Sequence, residues 1–271
     1  MRPAFPVILA CLLIPMVSSA QLNTQFIDEN ITSLSYQGTS VKATLIRSGG
    51  DAILVDTMYD TLAIAIRDYI EKEGLKLMYI INTHYHGDHT GGNSHFKWVT
   101  KIAHSNTNEL IDNKAEYGPP DSFKNEDYPS LLFNDRLTLY LGDIHVEVVH
   151  YGSGHTSGDA LVFVPESNVL ITGDVMLDAR HTLPFFPDPE EGLAVLERLL
   201  ENTDNNTQVI TGHGKIGSRN DIVDLVAIMK STISYSKSAR DPEQFPEEWK
   251  SWDSNFMTMS AWMEMLDKIY N

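Results

Sequence analysis

Short apolar runs bounded by turn residues dominate the pattern near the start of the chain. Three such runs, ITSLSY, SVKATLIRS and DAILVDT, are separated by Gly38 and by the pair Gly49 and Gly50. Runs of this length between glycines are typical of β-strands. The pattern therefore predicts a meander of three strands.

A helical period follows this meander. From Tyr59 to Glu73 the apolar residues recur at the spacing of an amphipathic helix, and Gly74 is well placed to end it. The next segment, KLMYIINT, is apolar nearly throughout, which is typical of a strand buried on both faces. The chain is predicted to turn directly after this strand, within the stretch INTHYHGDHTGGN.

A second cycle of strands and helices occupies the other half of the chain. Strand-like runs are RLTLYLG, IHVEVVHY, DALVFVP, NVLITGD and TQVITGHG, and helical patterns cover EEGLAVLERLLEN and residues 220–235. Two clusters of strands, each followed by helices, predict an α/β fold with two sheets packed face to face and helices outside. The segment AEYGPPDSFKNEDYPS is predicted to be a surface loop that borders a pocket, and MTMSAWMEMLDKIY a capping helix.

The length of 271 residues allows one large α/β domain or two small ones. Residues 1–20 carry Arg2, an apolar stretch and small residues before position 21, as a secretory signal peptide does, and this stretch is too short to span a membrane. We therefore expect a signal peptide over 1–20 and a single domain over 21–271, with a C-terminal helical extension from about residue 238. The mature protein would be periplasmic or secreted and free of the membrane.

Cysteine and charge narrow the chemistry further. The single cysteine, Cys11, lies in the leader, so the mature chain is expected to have neither a disulfide nor a thiolate metal ligand. The formal net charge is −17, and loss of Arg2 with the leader would make it more negative. An acidic surface repels the phosphates of nucleic acids, so a small-molecule substrate is favoured. The oligomeric state is left open.

The stretch INTHYHGDHTGGN places three histidines and an aspartate directly after the predicted buried strand. If the chain stays extended there, His84, His86 and Asp88 point to one side, and Gly87 lets the chain turn so that His89 joins them. Imidazole and carboxylate are suitable zinc ligands, but these four residues do not complete two zinc sites.

Further donors lie at the ends of later predicted strands, each beside a glycine: His155 in GSGHTSGDA, Asp174 in LITGDVM and His213 in ITGHGK. A lone histidine or aspartate at such a place is usually only solvated or hydrogen-bonded, and the five other histidines are interpreted in this way: His95, His104, His145, His150 and His181. Chance rarely assembles the ordered series HxHxDH, GHTxGD, TGD and GHG. The series therefore favours a metal centre.

These motifs resemble those of the metallo-β-lactamase superfamily over about residues 25–235. The resemblance implies a four-layer αββα sandwich with the site on one edge, and two zinc ions per chain. The ligands it implies are His84, His86 and His155 for the first ion, Asp88, His89 and His213 for the second, and Asp174 as a bridge. Asp88 is also expected to be catalytic, since it can orient the attacking hydroxide and pass a proton to the leaving group.

The activity that the resemblance implies is hydrolysis of a cyclic amide or ester. Zinc lowers the pKa of bound water from ~15.7 to ~7, so no serine or cysteine nucleophile is needed. Hydrolysis of β-lactams is the first hypothesis. A lactonase or thioesterase is the alternative, because the bridging Asp174 is similar to that of glyoxalase II and the lactonases. An iron-dependent oxidoreductase on the same ligands is the alternative of another class.

Residues that contact the substrate are indicated less sharply. Many zinc β-lactamases bind the substrate carboxylate with a lysine at the place of Leu177. Arg180 and His181 are the candidate substrate-binding residues that would replace this lysine. Phe185 and Phe186 either form an apolar wall of the pocket or fix their loop to the core.

Overall fold

The computed structural model describes residues 22–179, 181–238 and 241–271. The predicted leader and Arg180 lie outside the described residues. The described part forms thirteen strands in two sheets, together with six α-helices. Among these helices none is both long enough and apolar enough to cross a membrane.

The first sheet has seven strands in chain order. They are β1 (Leu22–Phe26), β2 (Ile31–Tyr36), β3 (Lys42–Ser48), β4 (Asp51–Val55), β5 (Lys76–Ile81), β6 (Thr100–His104) and β7 (Leu131–Phe133). Strands β1 to β4 pair antiparallel, which confirms the predicted meander as β2 to β4, whereas β4 to β7 pair parallel. Strands β1, β6 and β7 escaped prediction because β6 and β7 are short and β1 is largely exposed and polar.

The second sheet has six strands in the order β13-β12-β11-β10-β9-β8. They are β8 (Arg136–Leu141), β9 (Ile144–Val149), β10 (Leu161–Val164), β11 (Val169–Gly173), β12 (Gln208–Thr211) and β13 (Gly217–Ser218). All five predicted strands form, with slightly shorter bounds. Strands β8 to β11 are antiparallel, and β11 and β12 run parallel, so their carboxyl ends meet at the same edge.

The helices are α1 (Asp60–Lys72), α2 (Gly87–Thr90), α3 (Ser105–Asp112), α4 (Pro189–Glu201), α5 (Arg219–Lys237) and α6 (Met259–Tyr270). Gly74 has a φ of +66°, a conformation that glycine adopts easily, so it ends the first helical segment as predicted. Asp188 is the N-cap of helix α4, and its carboxylate accepts hydrogen bonds from the backbone N–H groups of Glu190 and Glu191.

Three apolar cores stack the elements into four layers. Between the sheets, Ile46 and Ile81 of the first sheet pack with Val148 and Ile171 of the second. Helix α1 covers the outer face of the first sheet. Helices α4, α5 and α6 cover the outer face of the second sheet. This arrangement is the αββα sandwich that the sequence predicts.

The C-terminal segment packs on the second sheet's helical layer. A 3-10 helix (Glu247–Trp252) leads to α6, whose Trp262 is fully buried against α5. The indole N–H of Trp262 donates a hydrogen bond of 2.9 Å to the Thr232 hydroxyl. The tryptophan-rich end is therefore a capping helix with an apolar face.

Candidate metal centre

The seven residues predicted as ligands lie at one edge of the sandwich, just beyond strand ends. His84 and His86 follow β5, and Asp174 follows β11 directly. His155 lies in the loop after β9, and His213 lies just past β12. Because the sheets are stacked face to face, these carboxyl-terminal ends are brought together from both sheets.

The extended path predicted for residues 84–88 is wrong in its second half. Residues 87–90 form the single helical turn α2, in which the N–H of Thr90 bonds to the carbonyl of His86 at 2.9 Å. Gly87 is tightly enclosed, since a Cβ there would lie 2.9 Å from the carbonyl oxygen of Gly118. The turn sends His84 and His86 into one group of side chains, and Asp88 and His89 into another.

The side chains form two groups. Within each group, the potential ligand atoms all lie within 4.8 Å of one another. The groups are His84, His86, His155 and Asp174, and Asp88, His89 and His213. Within the first group, His155 Nε2 lies 3.1 Å from His86 Nδ1. Within the second, His213 Nε2 lies 3.3 Å from Asp88 Oδ2. Each group could hold one metal ion.

Asp174 faces both groups. Its Oδ2 lies 3.9 Å from His84 Nε2, 3.7 Å from His155 Nε2 and 3.3 Å from His213 Nε2. Its Oδ1 lies 3.2 Å from His89 Nε2. Gly212 leaves the room for this carboxylate, since a Cβ at position 212 would lie 1.9 Å from Asp174 Oδ1.

Asp56 orients two of the histidines, His84 and His89, through their Nδ1 atoms. Its Oδ2 accepts a hydrogen bond of 2.8 Å from His89 Nδ1 and one of 2.7 Å from the Thr83 hydroxyl. The Thr83 oxygen lies in turn 3.1 Å from His84 Nδ1. Histidines that bind a metal through one nitrogen are commonly held by such a partner at the other, which sets the ring orientation.

His155 and His213 are held in the same way. His155 Nδ1 donates to the carbonyl oxygen of Phe185 at 3.1 Å, and His213 Nδ1 lies 3.0 Å from the Ser40 hydroxyl. In each case Nε2 is left facing the other donors. The orientations of these two rings are therefore set by hydrogen bonds to residues outside the donor groups.

Unsatisfied polar atoms indicate that the donor set suits metal ions. Within the described residues, His84 Nε2, His89 Nε2 and Asp174 Oδ1 are buried and make no hydrogen bond of good geometry, although His89 Nε2 and Asp174 Oδ1 lie 3.2 Å apart. Buried polar atoms are nearly always paired, so atoms left unpaired at a converging set of imidazoles and carboxylates call for a cation. The residues present therefore fit a pair of metal ions.

Comparison with known proteins gives the same picture. The family model described as the metallo-beta-lactamase superfamily matches residues 36–215. The chain belongs to the metallo-beta-lactamase superfamily. The matched segment contains all seven of the grouped side chains, whereas the 3-10 helix and α6 lie beyond it.

Relatives within the superfamily carry different names. The chain is 26% identical over 222 residues to a metallo-beta-lactamase type 2 of Bacillus cereus, covering 79% of this chain and 83% of that one. It is 32% identical over 142 residues to a hydroxyacylglutathione hydrolase of Pseudomonas fluorescens, covering 51% and 48%. It is 31% identical over 150 residues to the lactamase-like protein nscB of Arthroderma gypseum, covering 55% of this chain and 42% of nscB.

Solved structures agree on the fold. The metallo-beta-lactamase from Pontibacter korlensis matches with a TM-score of 0.66 at 19% identity, over 78% of this chain and 99% of that one. The chain spans less than half the length of some curated relatives, nscB among them.

Charge differs between the two groups of this superfamily site. Burial, reinforced by the neighbouring His155, lowers the pKa of His86 to about 4. Burial also opposes the charged form of His213, but the hydrogen bonds to Asp174 and Asp88 outweigh it and raise its pKa to about 9. Near neutral pH, His86 is therefore a neutral imidazole, whereas His213 is a protonated imidazole beside two carboxylates. Metal binding to the second group must therefore release a proton.

The pKa values of the neighbouring carboxyl groups are lowered, whereas that of His213 is raised. Burial alone would raise the pKa of Asp174, but the charge of His89 and the hydrogen bond from His213 hold it well below its usual value. The pKa of Asp88 is lowered for the same reasons, with burial again opposing. Both side chains are therefore carboxylates near neutral pH.

His181 belongs to neither group of potential ligands. Its ring stacks on Trp252 of the C-terminal segment at 4.6 Å between centroids, and its Nε2 lies 3.7 Å from Asp224 Oδ2. It also lines a cavity of about 610 Å³ together with Phe256. Its predicted contact with substrate stays a prediction.

The other histidines have ordinary partners, as the sequence suggests. His95 bonds to Asp60 at 2.7 Å, His145 to Glu166 at 2.5 Å, and His104 stacks on His150. Of the aromatic pair, Phe186 is fully buried and fixes its loop to the core, whereas Phe185 is 51% exposed beside His155. Phe186 therefore follows the second alternative, whereas a pocket wall formed by Phe185 stays a prediction.

Three residues that contact histidines of the donor groups were not identified from the sequence: Asp56, Tyr117 and Phe256. Asp56 follows β4, the strand next to β5, so a carboxylate at the end of a buried strand was the available signal. The loop predicted to border a pocket does so, with Tyr117 lining a cavity of about 440 Å³. The backbone carbonyl of Tyr117 also accepts the N–H of Gly87, which ties this loop to the histidine turn.

Proposed function

We propose that this protein is a secreted or periplasmic hydrolase that uses two zinc ions to open a cyclic amide or ester. The observation that carries the proposal is the pair of donor groups joined by Asp174, with three buried donor atoms left without hydrogen bonds of good geometry. His84, His86 and His155 would hold one ion, and Asp88, His89 and His213 the other. Zinc suits this set because its ligands are imidazole and carboxylate without thiolate.

Zinc bound in such a site makes water nucleophilic near neutral pH and polarises a carbonyl group. The chain's own part is to hold the groups in place and to move a proton. The Asp88 side chain is 19% exposed, so its carboxylate is within reach of solvent and of a substrate. Its Oδ atoms are the candidates to accept the proton of the attacking water and to return it to the leaving group.

Hydrolysis of a β-lactam is the first candidate reaction. It is supported by similarity to the Bacillus cereus metallo-beta-lactamase over most of both chains. The substrate would be a small molecule rather than a nucleic acid, which the acidic net charge of −17 disfavours.

A lactonase or thioesterase is the second candidate. The observation that favours it is an aspartate, Asp174, at the position between the groups, together with similarity to hydroxyacylglutathione hydrolase. Both candidates share the same proton transfer by Asp88 and differ only in the group that leaves.

A substrate panel separates these candidates. Purified mature protein should open a chromogenic cephalosporin, and a chelator should abolish the turnover until zinc is restored. If cephalosporin, penicillin and carbapenem all fail while a lactone or thioester is cleaved, the second candidate replaces the first. Failure of every ester and amide would contradict the hydrolase.

The export of the protein is tested separately. Cleavage after Ala20 would leave Gln21 as the first residue of the mature protein. Amino-terminal sequencing of protein from the periplasm or medium should give QLNTQ. Uncleaved protein retained in the cytoplasm would contradict the proposal.

A further inference from the structure

Three exposed aromatic rings surround the two donor groups, and each contacts a different histidine. The ring of Tyr117 lies 5.6 Å from His86, that of Phe185 lies 6.5 Å from His155, and that of Phe256 lies 5.3 Å from His213. They are 68%, 51% and 43% exposed, respectively. We call these three residues the aromatic rim.

The rim is built from separate parts of the chain. Tyr117 lies in the loop before β7 and Phe185 in the loop before α4, whereas Phe256 lies between the 3-10 helix and α6. Phe256 is outside the segment that matches the superfamily, so this contact belongs to the C-terminal segment of this chain. Three unrelated segments thus place large apolar surfaces beside the same site.

The position of Phe256 is fixed by its own turn. The Ser254 hydroxyl oxygen accepts hydrogen bonds from the backbone N–H groups of Phe256 and Met257. The Asp253 carboxylate accepts one from the N–H of Met259 at the start of α6. Trp252, the residue before Asp253, is buried in the core and anchors this turn. The exposed ring is therefore held against His213 by local hydrogen bonds.

Cavities adjoin the rim. Phe256 lines the cavity of about 610 Å³, and Tyr117 lines the one of about 440 Å³. A third cavity of about 430 Å³ is lined by His155 with Leu110 and Pro187. The cavity beside Phe256 is otherwise lined mostly by polar residues, such as Asp178, Ser251 and Asn255, so the Phe256 ring is its main apolar surface. Pockets that bind small molecules typically place apolar and aromatic walls beside polar groups, and the three rings can supply such walls here.

We propose that Tyr117, Phe185 and Phe256 determine specificity by receiving an aromatic or long alkyl substituent of the substrate, with Phe256 as the main contact. This inference rests on the proposed hydrolase function, because the rim adjoins the groups that would carry the reaction. Aromatic side chains contribute strongly to such contacts since each buries a large apolar area. The rim thus selects the substituent and leaves the choice of scissile bond to the donor groups.

The test compares ligands that differ only in their apolar part. Benzylpenicillin and its analogue with an acetyl group in place of the phenylacetyl group form one pair, and dodecanoyl- and butanoyl-homoserine lactone form another. Dissociation constants are measured by calorimetry on the zinc-loaded protein with the hydrolysed, ring-opened form of each ligand, so that no turnover interferes. In each pair the more apolar ligand should bind about tenfold more tightly, as expected when a phenyl ring or alkyl chain is buried.

Substitutions identify the residues responsible. Phe256→Ala should reduce this preference to about twofold, and Phe256→Trp should keep it, because one removes and the other retains an aromatic surface. Tyr117→Ala and Phe185→Ala should each reduce it partly. Phe26→Ala is the control, because Phe26 is also an exposed phenylalanine but lies on β1 and is not part of the rim, and should leave the preference unchanged.

The outcomes separate the rim from the hydrolase. Equal binding within both pairs, or a preference unaffected by Phe256→Ala, would overturn the rim even if the zinc-loaded enzyme turns substrates over. A preference that depends on Phe256 supports the rim. If such a preference is found in a protein that hydrolyses nothing, the rim stands and the proposed function fails.

Discussion

At the scale of single residues, Asp56 supports both donor groups of the candidate site without belonging to either. It bonds directly to His89 and reaches His84 through the Thr83 hydroxyl, so one buried carboxylate orients a histidine in each donor group. Asp56 has a φ of +61°, which a residue other than glycine rarely adopts. The backbone is therefore held in an uncommon conformation at a residue that supports both groups.

Replacing this carboxylate should weaken metal binding. In Asp56→Asn the amide keeps the shape but loses the charge that favours the His89 Nδ1–H bond, so zinc affinity should fall about 10–100-fold. The measurement is a competition titration against a chromophoric chelator. Asp60→Asn is the control, because Asp60 also bonds to a histidine, His95, but at an exposed place outside the site. Unchanged affinity in Asp56→Asn would contradict the role.

Asp174 is expected to matter to both ions. Asp174→Ala removes the carboxylate that faces both groups, so at least one zinc per chain and most of the turnover should be lost. Metal analysis and an activity assay on the same preparation check this. Asp68→Ala, at an exposed carboxylate on α1, should change neither quantity. Unaltered metal content and activity in Asp174→Ala would show that it does not bridge.

The residues of the site were predictable to the extent that they belong to short motifs. His84, His86, Asp88 and His89 lie within one stretch, and the later donors stand beside glycines at strand ends. Asp56 lies 33 residues from His89 and carries no motif, so only the pairing of β4 with β5 reveals their contact. The contact of Phe256 with His213 joins two segments that are far apart in the sequence, and no periodic pattern predicts it.

At the scale of elements, Lys101 joins β6 to the loop before β7. Its side chain is buried, and its Nζ donates hydrogen bonds to the carbonyl oxygens of Phe96 and Glu126 at 3.0 Å each, and to that of Val99 at 3.4 Å. Burial lowers the pKa of Lys101, while Asp127 and Glu126 counteract this. The ammonium group is tolerated because three carbonyl oxygens surround it.

Removal of this ammonium group should destabilise the fold. Lys101→Met keeps most of the volume but leaves carbonyl oxygens unsatisfied, so the free energy of unfolding should fall by about 2 kcal/mol. Urea denaturation measures it. Lys97→Met is the control: Lys97 makes only an exposed ion pair with Glu126, and its loss should cost less than about 1 kcal/mol. Equal effects of the two substitutions would contradict this account of Lys101.

The predicted elements were accurate where a pattern extends over several turns or a full strand. Helix α1 was predicted as residues 59–73 and spans Asp60–Lys72, and α5 was predicted as 220–235 and spans Arg219–Lys237. The turn α2 was missed because four residues show no period, and because its hydrogen bonds depend on the Tyr117 loop. Short elements therefore depend on tertiary contacts that the local sequence does not encode.

At the scale of the whole molecule, the sandwich is what turns scattered motifs into a site. The carboxyl end of β5 comes from the first sheet, and those of β9, β11 and β12 come from the second. Stacking the sheets through the core of Ile46, Val148 and Ile171 brings these ends to one edge. The C-terminal segment then adds Phe256 to the same edge. The pairing of the two donor groups is thus a property of the fold.

The measurement that tests this account most directly is elemental analysis of the purified mature protein, with oxygen uptake followed on the same sample. The account predicts two zinc ions per chain, no oxygen consumption, and loss of hydrolysis when a chelator removes the metal. Two bound iron ions with oxygen consumption would contradict the hydrolase in favour of an oxidoreductase on the same residues. A protein that binds no metal would contradict the metal centre itself.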